Sequence, residues 1–350
     1  SDLRGVYVMI HVGIVGYGFA GRSFHAYLIS LAKGLRLTAV ATRDPERRAT
    51  AAREWSIDTY ETLTEMTQDD RIQLIILATP HHTHATMATE AMEAGKHVVV
   101  DKVMCMHAAQ AKKMIAVSKR KKVMLSVFHN RRWDGGYLTV KKAIEGGLLG
   151  EPFFIETTVH RYRASRGWRA NKADSGGLLY DWGAHLIDQA VQLIPARPRS
   201  VFCREHKQVW PGDIEDHVTC TIQFMNGVEY NVEVSNIAHI KKPHWYVLGT
   251  KGTLIKEGLD PQEKWMIQGN IDGAQEDPAH RARMVTELNG LHTEMIIDSV
   301  PGSWKSYYQN IADVLNDGKE SVVKPEEVHT VMQILDAAKD SQKTGEVVTI

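Results

Sequence analysis

The 350-residue sequence predicts an α/β protein in two parts: a doubly wound parallel sheet over residues 1–129, then an α+β domain with a large, mostly antiparallel sheet over residues 130–350. Three observations predict it. In the first third, short β-branched runs alternate with helical stretches, the pattern of strands covered on both faces. A glycine turn, Gly16-Tyr17-Gly18-Phe19-Ala20-Gly21, directly follows the first of those runs. After about Asn130 the strand-like runs lengthen and alternate in polarity, as strands of an antiparallel sheet do.

The first strand is Ile10-His11-Val12-Gly13-Ile14-Val15, and the glycine turn opens a helix expected to reach Lys33. The apolar run 35–41 is the second strand, Pro45 starts the next helix, and Leu74-Ile75-Ile76-Leu77-Ala78 is a strand ended by Thr79-Pro80. A helix over 84–94 stops at Gly95, and a further strand fills 96–100. Beyond the boundary, a helix over 138–145 ends at Gly146-Gly147, strands are expected at 153–162, 218–224 and 228–234, and the polar stretch 269–283 reads as a surface loop.

Lys plus Arg and Asp plus Glu both number 42, so no net field favours nucleic acid or an acidic membrane. No run of about eighteen apolar residues marks a membrane span. Ser1-Asp2-Leu3-Arg4 lacks the apolar stretch of a signal peptide, which leads to the expectation of a cytoplasmic protein. Cys105, Cys203 and Cys220 have no C-x-x-C spacing and read as reduced core cysteines.

A G-x-G-x-x-G string is weak evidence alone. Here it follows a strand, opens a helix and precedes a second strand end about twenty residues on, which makes the first part a Rossmann dinucleotide-binding domain. Gly16, Gly18, Phe19, Ala20 and Gly21 are then cofactor residues. At the second strand end, Ala41-Thr42-Arg43-Asp44, an acid would accept from the ribose hydroxyls of NAD, whereas Thr42 and Arg43 can donate to a 2′-phosphate. Pro45 turns Asp44 away as a helix cap, so NADP is favoured, with NAD the alternative. His81, His82 and His84 follow Thr79-Pro80 in the loop above the cofactor. Thr79, Pro80 and His84, with Asp101, Lys102 and Asn130, complete the expected cofactor set.

Lys102 follows an apolar strand, at the mouth of the sheet where ligands bind. A lysine there can hydrogen-bond a substrate hydroxyl and relay its proton as hydride leaves the same carbon. Asp181, His185 and Asp188 fall at i, i+4 and i+7, which predicts one helical face beside Gly176 and Gly177, glycines that admit another backbone. A carboxylate and an imidazole together suit acid–base work. The spacing also permits a metal on Asp181, His185 and His217, but it fixes no third ligand, and none is expected. Arg131, Trp133, Tyr162, Trp168 and Arg169 are natural walls and donors for a sugar-like ring.

Residues 16–21, 78–80 with His84, 94–97, the lysine motif at 101–103, and Asp181 with His185 resemble the glucose-fructose oxidoreductase / inositol dehydrogenase (Gfo/Idh/MocA) family over nearly the whole chain. Segments 126–134 and 185–189 are similar to its NADP-dependent scyllo-inositol 2-dehydrogenase branch. The resemblance implies a catalytic set of Lys102, Asp181 and His185. His185 would be the acid–base at the reacting oxygen, Lys102 would position the substrate, and Asp181 would orient it and tune His185. It also implies a polyol or sugar substrate, an inositol or its ketone, and a homodimer or homotetramer formed through the second sheet. The family's glutamate and proline around the lysine are Asp101 and Val103 here, a departure that bears on the substrate. Three other readings stay open: an enzyme for another sugar, such as a 3-keto-glycoside or 1,5-anhydrofructose, a dinucleotide-binding sensor without turnover, and a metal-dependent hydrolase or lyase.

Overall fold

The first sheet is built from β1 (Ile10–Val15), β2 (Leu35–Ala41), β3 (Asp58–Tyr60), β4 (Leu74–Leu77), β5 (His97–Val100) and β6 (Leu125–Val127) in a computed structural model that describes residues 8–350. The N-terminal tetrapeptide read for a signal peptide lies outside the described residues. All neighbours pair in parallel, in the order β3-β2-β1-β4-β5-β6. That order has its switch point between β1 and β4, where α/β sheets bind ligands beyond the strand ends. Val12, Ile14, Leu74, Ile75, Ile76 and Val98 are wholly buried, as strands covered on both faces require. The strands β3 and β6 are three residues each, too short to register as runs, and between β5 and β6 stands the helix Ala108–Lys121, an element beyond those expected from the sequence.

The helix after the glycine turn is π-helical over Ala20–Ala26 and α-helical over Tyr27–Leu31, stopping short of Lys33. The next helix, Pro45–Trp55, begins as expected: the Asp44 Oδ1 accepts from the Glu46 and Arg47 amides at 3.0 and 3.1 Å.

The second sheet contains β7 (Pro152–His160), β8 (Pro198–His206), β9 (His217–Phe224), β10 (Glu229–Ser235), β11 (Trp245–Gly249), β12 (Gly252–Lys256), β13 (Ala282–Leu288), β14 (Leu291–Ile297) and β15 (Val348–Thr349). Its order is β14-β13-β12-β11-β7-β10-β9-β8-β15, antiparallel throughout except between β7 and β10. Of the segment 269–283, residues 269–281 are a loop with two short 3₁₀ turns, Ile271–Gly273 and Pro278–His280, and the last two residues already belong to β13; the loop is pinned rather than free, since Ile271 is buried and Glu276 pairs with the buried Lys256.

The last two helices, Lys305–Asp317 and Pro325–Thr344, return to the first half of the molecule. Pro325–Thr344 packs on Ala108–Lys121 and on β8, so it bridges both sheets. An aromatic seam does the same. Phe24 stacks on Trp304 at 5.8 Å, Phe128 meets Tyr307 at 5.0 Å, and the His25 Nδ1 lies 2.6 Å from the Tyr308 hydroxyl. All three cysteines are buried and free. No helix among the described residues is long and apolar enough to cross a membrane.

Candidate active site

The glycine turn is shaped as a nucleotide cradle. Gly16 has φ +92°, and a Cβ there would stand 2.2 Å from the Ala78 carbonyl oxygen; one on Gly21 would stand 2.0 Å from the Gly16 oxygen. Both glycines therefore let the strand end, the neighbouring loop and the new helix close up. At Gly18 a Cβ would meet only an Arg47 guanidinium nitrogen, at 3.6 Å, so that position stays open. A tight pair flanking an open glycine is what a pyrophosphate on a helix N-terminus needs, and the residues fit a dinucleotide.

At the end of β2 the Thr42 carbonyl accepts from Arg48 at 2.6 Å, Asp44 is spent as the helix cap, and Arg43 is exposed with no ion pair among the described residues. Arg47, to which sequence reasoning assigns no role, adds a second cation here, and its Nε lies 3.3 Å from the other Asp44 carboxylate oxygen, which it neutralises. It lines a recess of about 280 Å³ with Tyr17, Gly18 and Arg22. The Arg47-Arg48 pair in the first turns of the helix, three and four residues after the cap, is the available signal.

Above the sheet, the Thr79 hydroxyl lies 2.7 Å from that of Thr83, and Pro80 leads into the short turn His81–Thr83. His84 is fully buried, its ring nitrogens 2.6 and 2.9 Å from the carbonyls of Val103 and Thr79. It clamps the loop to the Val103 carbonyl, one residue beyond the cis Lys102–Val103 peptide, and does not line the cavity. His81 likewise ties this loop to Ser175, at 2.6 Å.

A cavity of about 1000 Å³ opens between the glycine turn and the second sheet. Lys102 enters it from the end of β5, and its Nζ donates to the Asp181 carboxylate at 2.5 Å and to the Asp181 carbonyl at 2.6 Å. Arg169 approaches the other carboxylate oxygen at 3.5 Å. Burial opposes a charge on Asp181, yet Lys102 and Arg169 hold its carboxyl well below the usual range. Burial, reinforced by Lys102 and Arg131, holds His185 far below an ordinary histidine, so the ring is neutral at pH 7. Its Nδ1 is buried without a partner. Asp101 is also ionised: burial raises it, but His25 at 3.5 Å and Lys102 bring it down to about 2. Asn130 lines the cavity at 2% exposure, with its side-chain amide nitrogen unpartnered. A buried free donor of this kind suits a polar ligand.

The expected single face of Asp181, His185 and Asp188 splits. Leu179–Gly183 is a π turn, which rotates less per residue than the α-helix Ala184–Leu193 after it. Asp181 and His185 thereby reach the cavity together, while Asp188 turns away to a bidentate pair with Arg132, both contacts 2.8 Å. What crowds Gly177 is the Glu215 carboxylate, 2.2 Å from where a Cβ would be, and not another backbone. Of the predicted ring walls, Arg131 and Arg169 line the cavity. The other three do not: Trp133 meets Tyr307 at 6.0 Å, Tyr162 is exposed and stacks on His239 at 3.7 Å, and Trp168 covers His81 at 4.7 Å. The aromatic wall is Trp182 instead, with Phe24 and Phe128. His217 packs beside His206 at 5.7 Å, outside the cavity, and no group of three metal-ligating side chains occurs among the described residues.

Geometry of this kind has counterparts. An "Oxidoreductase family, NAD-binding Rossmann fold" model matches residues 10–129, and its partner, "Oxidoreductase family, C-terminal alpha/beta domain", matches 141–350. The chain is 33% identical to the oxidoreductase YdgJ of Escherichia coli over 95% of this chain and 96% of that one. It is 30% identical to the scyllo-inositol 2-dehydrogenase (NADP(+)) IolW of Bacillus subtilis, over 95% and 94% respectively. The solved oxidoreductase yvaA of Bacillus subtilis superposes with a TM-score of 0.92 at 29% identity, covering 99% of this chain and 100% of that one. Two domain matches spanning both sheets, on a fold with this nucleotide cradle, settle the assignment: the chain belongs to the Gfo/Idh/MocA family of NAD(P)-binding oxidoreductases.

Proposed function

We propose that the protein is an NADP-preferring dehydrogenase or reductase acting at a ring carbon of a polyol or sugar, an inositol or its ketone being the first expectation. One observation carries the reading: Lys102, from the nucleotide-binding sheet, is bonded to Asp181, from the opposite half, in one cavity with the neutral His185. When bound, the nicotinamide supplies the hydride acceptor or donor. The chain's own residues do the rest. The neutral His185 ring can take the proton of a carbinol as its hydride departs, or return it to a ketone. Lys102 donates to the reacting oxygen and stabilises charge growing on it. Asp181 fixes Lys102, and Trp182 offers an aromatic face to ring C–H groups. Arg43, Arg47 and the withdrawal of Asp44 support NADP over NAD, as does the cofactor in the name of the Bacillus relative. Association through the second sheet belongs to the same reading, supported by exposed Phe153, Leu291 and Ile296 on its strands.

The test is absorbance at the reduced-nicotinamide band, with NADP and then NAD across inositols, aldoses and glycosides together with their acidic and phosphorylated forms, and with NADPH across inosose, 3-keto-glycosides and 1,5-anhydrofructose. Turnover of a polyol with NADP is expected. Cofactor binding without turnover across a panel that includes acidic and phosphorylated rings would instead favour a sensor. Turnover confined to 3-keto-glycosides or 1,5-anhydrofructose would move the substrate and keep the chemistry.

A further inference from the structure

The substrate side of the cavity is more basic than a neutral ring requires. Its wall carries seven Lys and Arg against four Asp and Glu, and five of the cations are arginines: Arg131, Arg161, Arg163, Arg166 and Arg169. Some of this charge is already matched. Arg169 and Lys102 share Asp181, and Arg131 lies 3.2 Å from Asp134 and 3.4 Å from Glu263. Arg161, Arg163 and Arg166 make no ion pair among the described residues.

Arg161 is the telling member. It follows β7, its amide is fixed to the Ser235 carbonyl at 2.8 Å, and its Nε is buried with no hydrogen-bond partner. Its guanidinium lies 5.1 Å from the Trp182 ring centre, and Arg131 lies 4.3 Å from the same centre. Burial, together with the repulsion of Arg163, pushes Arg161 down to about 10, still charged at pH 7. An unpaired, partly desolvated cation costs stability unless something supplies the opposite charge. The arginine fork is matched to carboxylate and phosphate oxygens, which accept two N–H groups side by side.

The cofactor's own charges have other partners. The pyrophosphate has the open Gly18 position and the helix N-terminus, and a ribose phosphate has Arg43 and Arg47 at the end of β2. Residues 161–169 belong instead to the second half, as do Asp181, Trp182 and His185.

We propose that the preferred substrate is a polyol or sugar ring bearing an oxyanion, a carboxylate or a phosphate, which Arg161 holds with Arg163 and Arg166 while the reacting carbinol faces Lys102, Asp181 and His185. The inference rests on the hydride-transfer reading above and names its substrate class. The anion is a spectator: the C–H electron pair passes to the oxidised nicotinamide, the hydroxyl proton passes to His185, and the carbinol becomes a ketone.

The experiment compares matched pairs with NADP: glucuronate and glucose 6-phosphate against glucose, and inositol 1-phosphate against myo-inositol. The anionic members should exceed their neutral parents in kcat/KM by 100-fold or more, and the better of glucuronate and the phosphates identifies the oxyanion. Arg161→Gln should raise KM for the anionic substrate at least tenfold with NADPH affinity unchanged. Arg161→Lys should recover part of the loss, which a folding defect would not. Neutral parents equal to the anionic members, or an Arg161→Gln defect confined to NADPH binding, would overturn the proposal. If nothing turns over, calorimetric titration of the NADPH complex with the same pairs decides. Selective binding of the anions upholds the oxyanion site and defeats the hydride reading at these carbons, and no selectivity defeats the oxyanion site.

Discussion

The nucleotide cradle and the substrate wall meet in one cavity but are built in opposite ways. The cradle is local and made of backbone: three glycines within six residues and one capped helix after β2 define it. The wall is non-local and made of side chains. Lys102 and Asp181 are separated by 79 positions, and Arg132 and Asp188 by 56. A backbone site tolerates change in its surroundings, whereas a side-chain site is only as good as the packing that brings its members together. Substitution and acid should therefore affect the two differently.

The sharpest break is Lys102→Ala. It removes the cation that joins the nucleotide-binding half to Asp181, so kcat on the preferred substrate should fall by roughly 10³- to 10⁴-fold, about 4 to 5.5 kcal/mol of barrier. NADPH affinity, which rests on the cradle, should move by no more than about threefold, near 0.6 kcal/mol. Pre-steady-state hydride transfer and fluorescence titration measure the two. A parallel loss of cofactor affinity would mean that Lys102 serves the cradle and that the contrast is false.

Behind the wall, Arg132 holds Asp188 bidentately and reaches Glu327 and the Val322 carbonyl at 2.8 and 2.9 Å. Arg132→Ala strands the buried Asp188 carboxylate and should cost about 4 kcal/mol of stability. The helix Pro325–Thr344 and the aromatic seam join the two sheets, so calorimetry should show one transition, moved down in temperature. Two separated transitions would show that the halves fold independently and that the wall does not depend on their junction.

Acid probes the same dependence. Burial pushes His81 down to about 3, and His129 and His244 down to about 4. Unfolded rings take up protons below about 6.5 and the buried rings do not, so the unfolded state binds more protons and stability falls as pH falls. The three rings together should remove about 3 kcal/mol between pH 6.5 and pH 5.5. Urea midpoints at these two pH values measure the change. Equal midpoints would mean that these rings are open to protons in the folded state.

What the sequence disclosed follows from this same division. The glycine turn, β1, β2, β4, β5 and the Asp44 cap could be read because each is written in consecutive residues. Lys102, Asp181 and His185 stand in motifs that the sequence displays, but the way Asp181 and His185 share a face while Asp188 leaves it depends on a π turn that no periodicity shows. Trp133, Tyr162 and Trp168 are ring-like side chains in the right stretch of sequence, yet packing gives them other neighbours, and Trp182 takes the wall. Four arginines stand within residues 161–169 of the sequence, but only tertiary structure shows that the Arg161 Nε is buried in the cavity wall without a hydrogen-bond partner.

The smallest expected effect falls on the side chains that add specificity to the cradle's backbone, Arg43 first. Arg43 is exposed, so a phosphate contact there is partly screened by water, and Arg43→Ala should raise KM for NADP by about tenfold, near 1.4 kcal/mol. KM for NAD should stay where it is, because the two cofactors differ only in the 2′-phosphate that Arg43 would meet. The ratio of the two KM values is therefore the measurement, since any general damage to the glycine turn cancels in it. An unchanged ratio would make Arg43 a solvated surface residue and leave Arg47, beside Gly18, as the cation to remove next. A ratio that moves only when both are removed would show that this edge of the cradle, like the substrate wall, is built from side chains that act together.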